Sequence, residues 1–210
     1  MIEIRASNSG RTLLSLRTDT LVGWDFRKLR LTGGNFSSML LAKAAFSHAT
    51  LQDIDFHNSK MDEADFASAV LTNSTFEHAQ LRNADFSDAA LVNVSFRGCI
   101  LEGANFRRSR IIGSDFADAN LRGADLSMAV LSGKFRKADL SSADLRMSDI
   151  RDADLTEAVL TGVKLAGVKI VRSDLTPQQW QLLHQAKDCG TVAAAAARPM
   201  HRRGWWHFWS

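Results

Sequence analysis

The side chains of this chain that could perform acid–base, nucleophilic or metal chemistry belong mainly to its six histidines and two cysteines. His57 has Asp55 two residues before it and Ser59 two residues after it, a grouping that could serve general acid–base catalysis. In an extended segment these side chains alternate in direction, and nothing in the sequence forms a cleft around them. We interpret them as solvated surface groups, so no catalytic residue is predicted and the protein is expected not to be an enzyme.

Metal and cofactor binding are not indicated either. Five residues that could ligate a metal lack the spacing of a metal site: His48, His57, His78, Cys99 and Cys189. The glycines form no phosphate-binding loop, because Gly103, Gly113 and Gly123 recur ten residues apart, as turn residues would. We expect no metal, no cofactor and no small-molecule substrate.

The charge of the chain is divided unevenly. The formal net charge is +3, from 26 Lys and Arg and 23 Asp and Glu, but residues 1–175 carry 22 of each. The whole excess therefore lies in residues 176–210. The chain has no signal peptide, no apolar run long enough to span a membrane and no disulfide pattern, so we expect a cytoplasmic location.

A period of five residues dominates the sequence. Every fifth residue is Leu, Phe, Ile or Met from Leu16 to Leu131 and, after one residue drops out, from Phe135 to Leu175, which makes 33 centres. The residue two before the centre is Ala, Ser, Gly or Cys in 24 of the 33. Residues five apart lie about 140° apart on an α-helix, and an odd spacing alternates between the faces of a flat strand. The pattern instead predicts a coil of short extended segments joined at corners, with both positions pointing inward.

Four pentads show the pattern in its fullest form: Ala64-Asp65-Phe66-Ala67-Ser68, Ala84-Asp85-Phe86-Ser87-Asp88, Ala104-Asn105-Phe106-Arg107-Arg108 and Ala124-Asp125-Leu126-Ser127-Met128. They resemble the A(D/N)(L/F)xx signature of pentapeptide-repeat proteins. The resemblance implies an all-β solenoid, a right-handed quadrilateral parallel β-helix with four pentads per coil and about eight coils. The residue before the centre is Asp or Asn in only 14 pentads, and we expect this outward position to affect the surface more than the fold.

The domain organisation follows from where the period begins and ends. Residues 1–15 are expected to form a capping hairpin, 16–175 the β-helix and 176–190 a capping helix. Thr176, Pro177 and Gln179 give the N-cap, first-turn and capping-box residues of that helix, whose Trp180 and Leu183 side should close the last coil. Residues 191–210 are an Ala-rich segment followed by a basic and aromatic tail, for which docking, folding back on the rod and disorder all remain open.

One wall of the predicted coil differs from the others. It presents Val70, Ala90, Val92, Ile112 and Val130 outward, and an apolar stripe over several coils is a candidate contact surface for a protein partner or a homodimer. A basic cluster lies nearby, and its members are Arg97, Arg107, Arg108, Arg110, Lys134, Arg136 and Lys137. Aspartates flank the cluster, so ion pairing between coils is favoured over nucleic-acid binding.

Three functions remain. The leading one is a non-catalytic protein-interaction scaffold that binds through the wall, the tail or both. Some pentapeptide-repeat proteins are similar to duplex DNA in shape and charge and protect type II topoisomerase (gyrase), but a neutral rod fits such mimicry poorly. The third is a peripheral membrane protein anchored by the tail, whose candidate docking residues are Arg202, Arg203, Trp205, Trp206, Phe208 and Trp209.

Overall fold

The computed structural model describes residues 1–185, apart from the side chains of Trp180, His184 and Gln185. These residues form a parallel β-solenoid in which the residue before the centre of most pentads is bridged to the residue one turn, usually twenty positions, further on. Each full turn has four walls of one pentad each. The predicted parallel solenoid with a hairpin at one end and a helix at the other is confirmed.

The strands, in chain order, are β1 (Ile2–Ala6), β2 (Thr12–Leu16), β3 (Arg30–Thr32), β4 (Gly34–Asn35), β5 (Thr50–Gln52), β6 (Val70–Thr72), β7 (Ala90–Val92), β8 (Arg110–Asp115), β9 (Val130–Lys134), β10 (Asp149–Asp154) and β11 (Lys169–Val171). One helix, α1 (Pro177–Gln185), follows them. The strands β3 and β5 to β11 form one parallel sheet of eight, stacked in chain order. Seven turns separate its first and last strands, close to the expected eight coils.

The core is the column of pentad centres inside the four walls. Every centre from Phe36 to Ile170 is buried, and so is most of the small residues two positions before them. The phenylalanines line two opposite walls, and rings twenty residues apart stack, as Phe66 and Phe86 do with centroids 4.9 Å apart. Rings on the two walls meet edge to face, and Phe76 and Phe86 are 6.0 Å apart. Ala is the side chain that fits beside such rings in a closely packed interior.

The residue before the centre has a structural role that the sequence reasoning missed. The Asp125 carboxylate accepts a hydrogen bond of 2.8 Å from the backbone N–H of Ser127, and Asp65 and Asp85 bond Ala67 and Ser87 in the same way. These bonds close the turn at the corners of these pentads, where the next residue has a positive φ. The position was expected to affect the surface more than the fold, and this bond to the backbone is a contribution to the fold that the repeat pattern did not reveal.

One residue of the period is missing between Leu131 and Phe135, and the structure places this gap at a corner. The stacking of the turns continues across it. In β8 the residues Ile112 and Gly113 lie between two pairs of partners, whereas β9 has only Ser132 there. Gly133 bridges the shortened corner with a φ of 129°. Phe116 and Phe135 still stack with centroids 4.9 Å apart and planes 4° apart, so the rod is not interrupted.

The two ends are covered by different elements. At the first turn, β1 pairs antiparallel with both β2 and β4. Leu16, which the count of fives takes as its first centre, is paired with Ile2 in this hairpin and is half-buried. Four large residues of the hairpin and the first turns are partly buried and pack against the core: Leu14, Trp24, Leu29 and Met39.

At the other end, the capping box of α1 is present. Thr176 accepts a hydrogen bond from the N–H of Gln179 at 3.3 Å, and Gln179 accepts one from the N–H of Thr176 at 2.7 Å. The Gln179 amide also donates to the carbonyls of Leu155 and Ala158, and Leu183 is buried against the core. The side chain of Trp180 lies outside the described part. Among residues 1–185 no helix is long and apolar enough to cross a membrane.

Candidate protein-contact surface

The outer face of the eight-stranded sheet carries the apolar residues singled out in the sequence, and we call it the strand wall. Two columns of side chains project from its central strands β6 to β9. The first column contains Val70, Ala90, Arg110 and Val130 as successive cross-strand partners. The second column contains Thr72, Val92 and Ile112, followed by Ser132 of β9. The structure therefore brings all five predicted wall residues together on one face.

The exposure of these residues varies. Val70 and Val130 are the most open, with 42% and 39% of their surface accessible. Ala90, Val92 and Ile112 are half-buried between their neighbours. The apolar stripe is thus a flat surface with an exposed valine at each end, and the three residues between these valines expose less of their surface.

The strand wall is flat because its pentads differ chemically from those of the other walls. Most of its central pentads have Thr, Val, Ala or Arg before the centre, where the other walls often have Asp or Asn that close a turn. β-Branched residues at these positions favour an extended backbone, so this wall forms a continuous ladder of strands. Its corners use a different device: the N–H groups of Ile54 and Val94 donate to the buried hydroxyls of Ser74 and Ser114 one turn further on.

Beneath the strand wall the support is rigid. Leu71, Leu91 and Ile111 are the centres of β6, β7 and β8, and each is completely buried. A side chain on the outer face is therefore held by a backbone that is hydrogen-bonded on both sides and packed from below. Such a surface needs little ordering when it meets a partner.

Arg110 interrupts the apolar stripe, and the sequence reasoning did not recognise its significance. It is exposed, and among residues 1–185 no carboxylate lies within 4.0 Å of its guanidinium. Five of the other six residues of the basic cluster make the expected ion pairs between turns: Arg97 with Asp118, Arg108 with Asp88, Lys134 with Asp115, and Arg136 and Lys137 with Glu157. Among the described residues, Arg110 is thus an unpaired cation at the centre of an apolar face. An Arg in an otherwise uncharged column was visible in the sequence, but its lack of a carboxylate partner was not.

Ion pairs neutralise many of the carboxylates on the described surface. Arg108 hydrogen-bonds Asp88 at 2.7 Å and holds the pKa of that carboxyl below its ordinary value. Arg146 lowers the pKa of Asp144 in the same way, by hydrogen bonds from its guanidinium. Because such pairs repeat along the rod, positive and negative charges alternate over short distances.

In the described part of the chain the candidate chemical groups do not converge on one place. His57 and His78 come near each other at a corner, with ring centroids 6.2 Å apart, but within residues 1–185 no three His, Cys, Asp or Glu side chains could hold a metal ion. Asp55 accepts a hydrogen bond from the backbone N–H of His57, and the hydroxyl of Ser59 is buried and donates to the Phe56 carbonyl. Burial raises the pKa of the Cys99 thiol to about 12, so this cysteine is a poor nucleophile.

The predicted tail residues lie outside the described part of the chain. These are Arg202, Arg203, Trp205, Trp206, Phe208 and Trp209, together with Cys189. The docking role suggested for them remains a prediction from sequence.

Comparison with known proteins bears on the family. A family model of a pentapeptide repeat region matches residues 29–106, and one of pentapeptide repeats in eight copies matches residues 89–133 and 134–176. No curated protein matches the sequence significantly.

Several solved structures are similar. Full-length QnrB1, a plasmid-mediated fluoroquinolone resistance protein, has 20% identity over 79% of this chain and 95% of its own, with a TM-score of 0.42. HetL from Nostoc sp. strain PCC 7120, a pentapeptide-repeat protein involved in heterocyst differentiation regulation, has 22% identity over 77% of this chain and 92% of its own, with a TM-score of 0.25. A pentapeptide-repeat protein of the Arabidopsis thaliana thylakoid lumen has 23% identity over 60% of this chain and 81% of its own, with a TM-score of 0.28. Since the matched family models together run from residue 29 to residue 176, the chain belongs to the pentapeptide-repeat proteins.

Proposed function

We propose that this protein is a non-catalytic interaction scaffold whose strand wall binds a protein. The observation that supports this function is the apolar stripe on an outward, flat and rigid sheet face. A stripe of this kind contributes nothing to the interior of the rod, where the centres are already buried. Apolar area exposed together on one face is typical of a protein contact.

The electrostatics of the wall fit a protein better than a nucleic acid. A nucleic-acid surface needs several cations that act together on phosphates. Arg110 is the only charged residue in the two columns of β6 to β9, and acidic partners pair most of the cations around it. One arginine within an apolar surface is instead a common anchor of protein interfaces.

The test compares two double variants that place carboxylates on opposite walls. Val92→Asp with Ile112→Asp changes the strand wall. Ile100→Asp with Val159→Asp changes two outward apolar residues on the wall opposite to it, where Ile100 is half-buried and Val159 is 44% exposed. Since all four side chains lie outside the core, both variants should keep the circular dichroism spectrum of the native protein.

Immobilised full-length proteins are then exposed to native lysate and, separately, to a differently tagged second copy of the chain. We expect a bound protein to be retained by the native chain and by the opposite-wall variant, and to be reduced at least tenfold by the strand-wall variant. Each protein retained in this way is identified by mass spectrometry, purified and bound again. Equal binding by all three baits in both experiments would refute the proposal.

A further inference from the structure

The apolar stripe of the strand wall is self-complementary under a twofold rotation. A twofold axis parallel to the strands, placed between β7 and β8, exchanges β7 with β8 and β6 with β9. The first column then brings Val70 opposite Val130 of a second copy, and the second column brings Val92 opposite Ile112 of that copy. Each exposed β-branched residue of the stripe thus meets another one.

The remaining positions of the same strands also match under this rotation. Thr72 lies opposite Ser132 of the second copy, so that two hydroxyl groups can pair. Arg110 lies opposite Ala90, the smallest side chain of its column, which leaves room for the guanidinium. Asp88 lies two residues before Ala90, at the neighbouring corner. Asp88 already pairs with Arg108 of its own copy, so Arg110 of one copy comes next to an ion pair of the other.

The flanking strands give a polar rim. The rotation places Thr50 opposite Asp149 of the second copy and Gln52 opposite Arg151, so two neutral polar side chains face the Asp149–Arg151 ion pair. Only the outermost strands bring like charges together, since Arg30 faces Lys169. Both of these side chains are exposed at the edges of the wall and can point away from each other into the solvent.

A parallel arrangement of two copies fits less well. An axis along the rod would place each residue of the first column opposite the second column of the same strand. Val70 would then lie opposite Thr72, Val130 opposite Ser132, and Arg110 opposite Ile112. This arrangement separates the apolar residues and buries the Arg110 guanidinium against an isoleucine, which is unfavourable.

We infer that the strand wall binds a second copy of this chain, with the two rods antiparallel and the twofold axis between β7 and β8. The inference rests on the proposed function, because it names the protein that the wall receives. A symmetric homodimer uses the same patch on both subunits, and such a patch must be self-complementary. The matched columns of β6 to β9 meet this requirement.

The size of the wall predicts a reversible dimer. Six strands at about 4.8 Å spacing and three extended residues of about 3.3 Å each give a contact of about 300 Å² per copy. The total of about 600 Å² is below the 1,200 Å² or more of a stable complex. Association should therefore depend on protein concentration and be detected best by a method that traps it.

Crosslinking between single cysteines tests both the second copy and its direction. Two proteins are made in a Cys189→Ser background, one with Val70→Cys and one with Val130→Cys; Cys99 is buried and stays native. A short bismaleimide is added to each protein alone and to an equal mixture. In the inferred dimer residues 70 and 130 of different copies face each other, whereas identical residues are offset by three strand spacings, about 14 Å along the rod.

We expect at least tenfold more crosslinked dimer in the mixture than in either protein alone. Adding Val92→Asp and Ile112→Asp to both proteins should abolish the product, whereas Ile100→Asp and Val159→Asp should leave it unchanged. Equal or greater crosslinking of identical residues would overturn the antiparallel arrangement. No crosslinking at all would overturn the inference that the wall binds a second copy. In that last case a different protein that binds the wall in the lysate experiment would leave the proposed function intact, so the two failures are distinguishable.

Discussion

The shortened corner at Gly133 offers a sharp test of how strictly the turns are stacked. Gly133 has a φ of 129°, a region that is nearly restricted to glycine. A Cβ at this position would overlap the carbonyl oxygen of Ser114 and lie 2.9 Å from its backbone nitrogen. Because these are backbone atoms of the neighbouring strand, they cannot move aside as a flexible side chain could.

The expected destabilisation of Gly133→Ala follows from these two effects. The unfavourable backbone region costs about 1 to 3 kcal/mol. Separating β8 from β9 would weaken the pairing of Ser114 with Gly133 and of Asp115 with Lys134, at about 0.5 to 1.5 kcal/mol per hydrogen bond. Together they give about 4 kcal/mol, a large part of the stability of an ordinary domain.

Gly123→Ala is the matched control, because Gly123 also has a positive φ, 64°, but nothing lies within 4 Å of its added Cβ. Only the left-handed backbone cost of about 1 to 2 kcal/mol applies there. Urea unfolding followed by circular dichroism measures both variants. If Gly133→Ala lowers the free energy of unfolding no more than Gly123→Ala does, the shortened corner is not held as we describe.

Three further outcomes are expected. Asp125→Ala should lower the free energy of unfolding by about 1 kcal/mol, because the turn N–H loses its acceptor, whereas Asp125→Asn should keep it; urea unfolding of the two variants decides this. The pKa of Asp144 is lowered by Arg146, so its contribution is fully present above the ordinary value of 3.8 and is lost as the pH falls through the folded pKa. Below pH 4 the free energy of unfolding should therefore fall less steeply with decreasing pH in Arg146→Gln than in the native protein. An unchanged slope would contradict the assignment. Deleting residues 198–210 should leave the circular dichroism spectrum unchanged and abolish binding to anionic liposomes, and persistent binding would remove the tail from that role.

The inward half of the structure could be read from the sequence, whereas part of the outward half could not. A centre such as Phe66 and a small residue such as Ala64 are restricted by packing in a narrow interior, so their types repeat strictly. The carboxylate of Asp65 acts on its own backbone two residues later, and this depends on the conformation of the corner. A period in the sequence shows where Asp65 lies but not which N–H it bonds.

In the strand wall, too, the sequence predicts some features and not others. A count of twenty places Val70 and Val130 on one wall, because turns of constant length keep the columns aligned. The extent to which neighbouring side chains cover Val92 and Ile112 depends on the sizes and conformations of those neighbours, and the spacing of residues in the sequence does not determine it. The free state of Arg110 also emerges only when every nearby carboxylate has been given its partner.

The pairing of charges decides how the rod should act on type II topoisomerase. Mimicry of duplex DNA requires a wall of unneutralised negative charges that act together beyond a Debye length, about 8 Å at physiological salt. Here many of the acidic residues are matched locally: Asp88 pairs with Arg108 one turn further on, and Asp144 pairs with Arg146 two residues later. Such pairs cancel within a few ångströms, so the field at a distance is weak. We therefore expect the purified chain to leave gyrase supercoiling and its inhibition by a quinolone unchanged. Protection at stoichiometric concentration would mean that recognition depends on shape rather than on negative charge, and this electrostatic argument would be wrong.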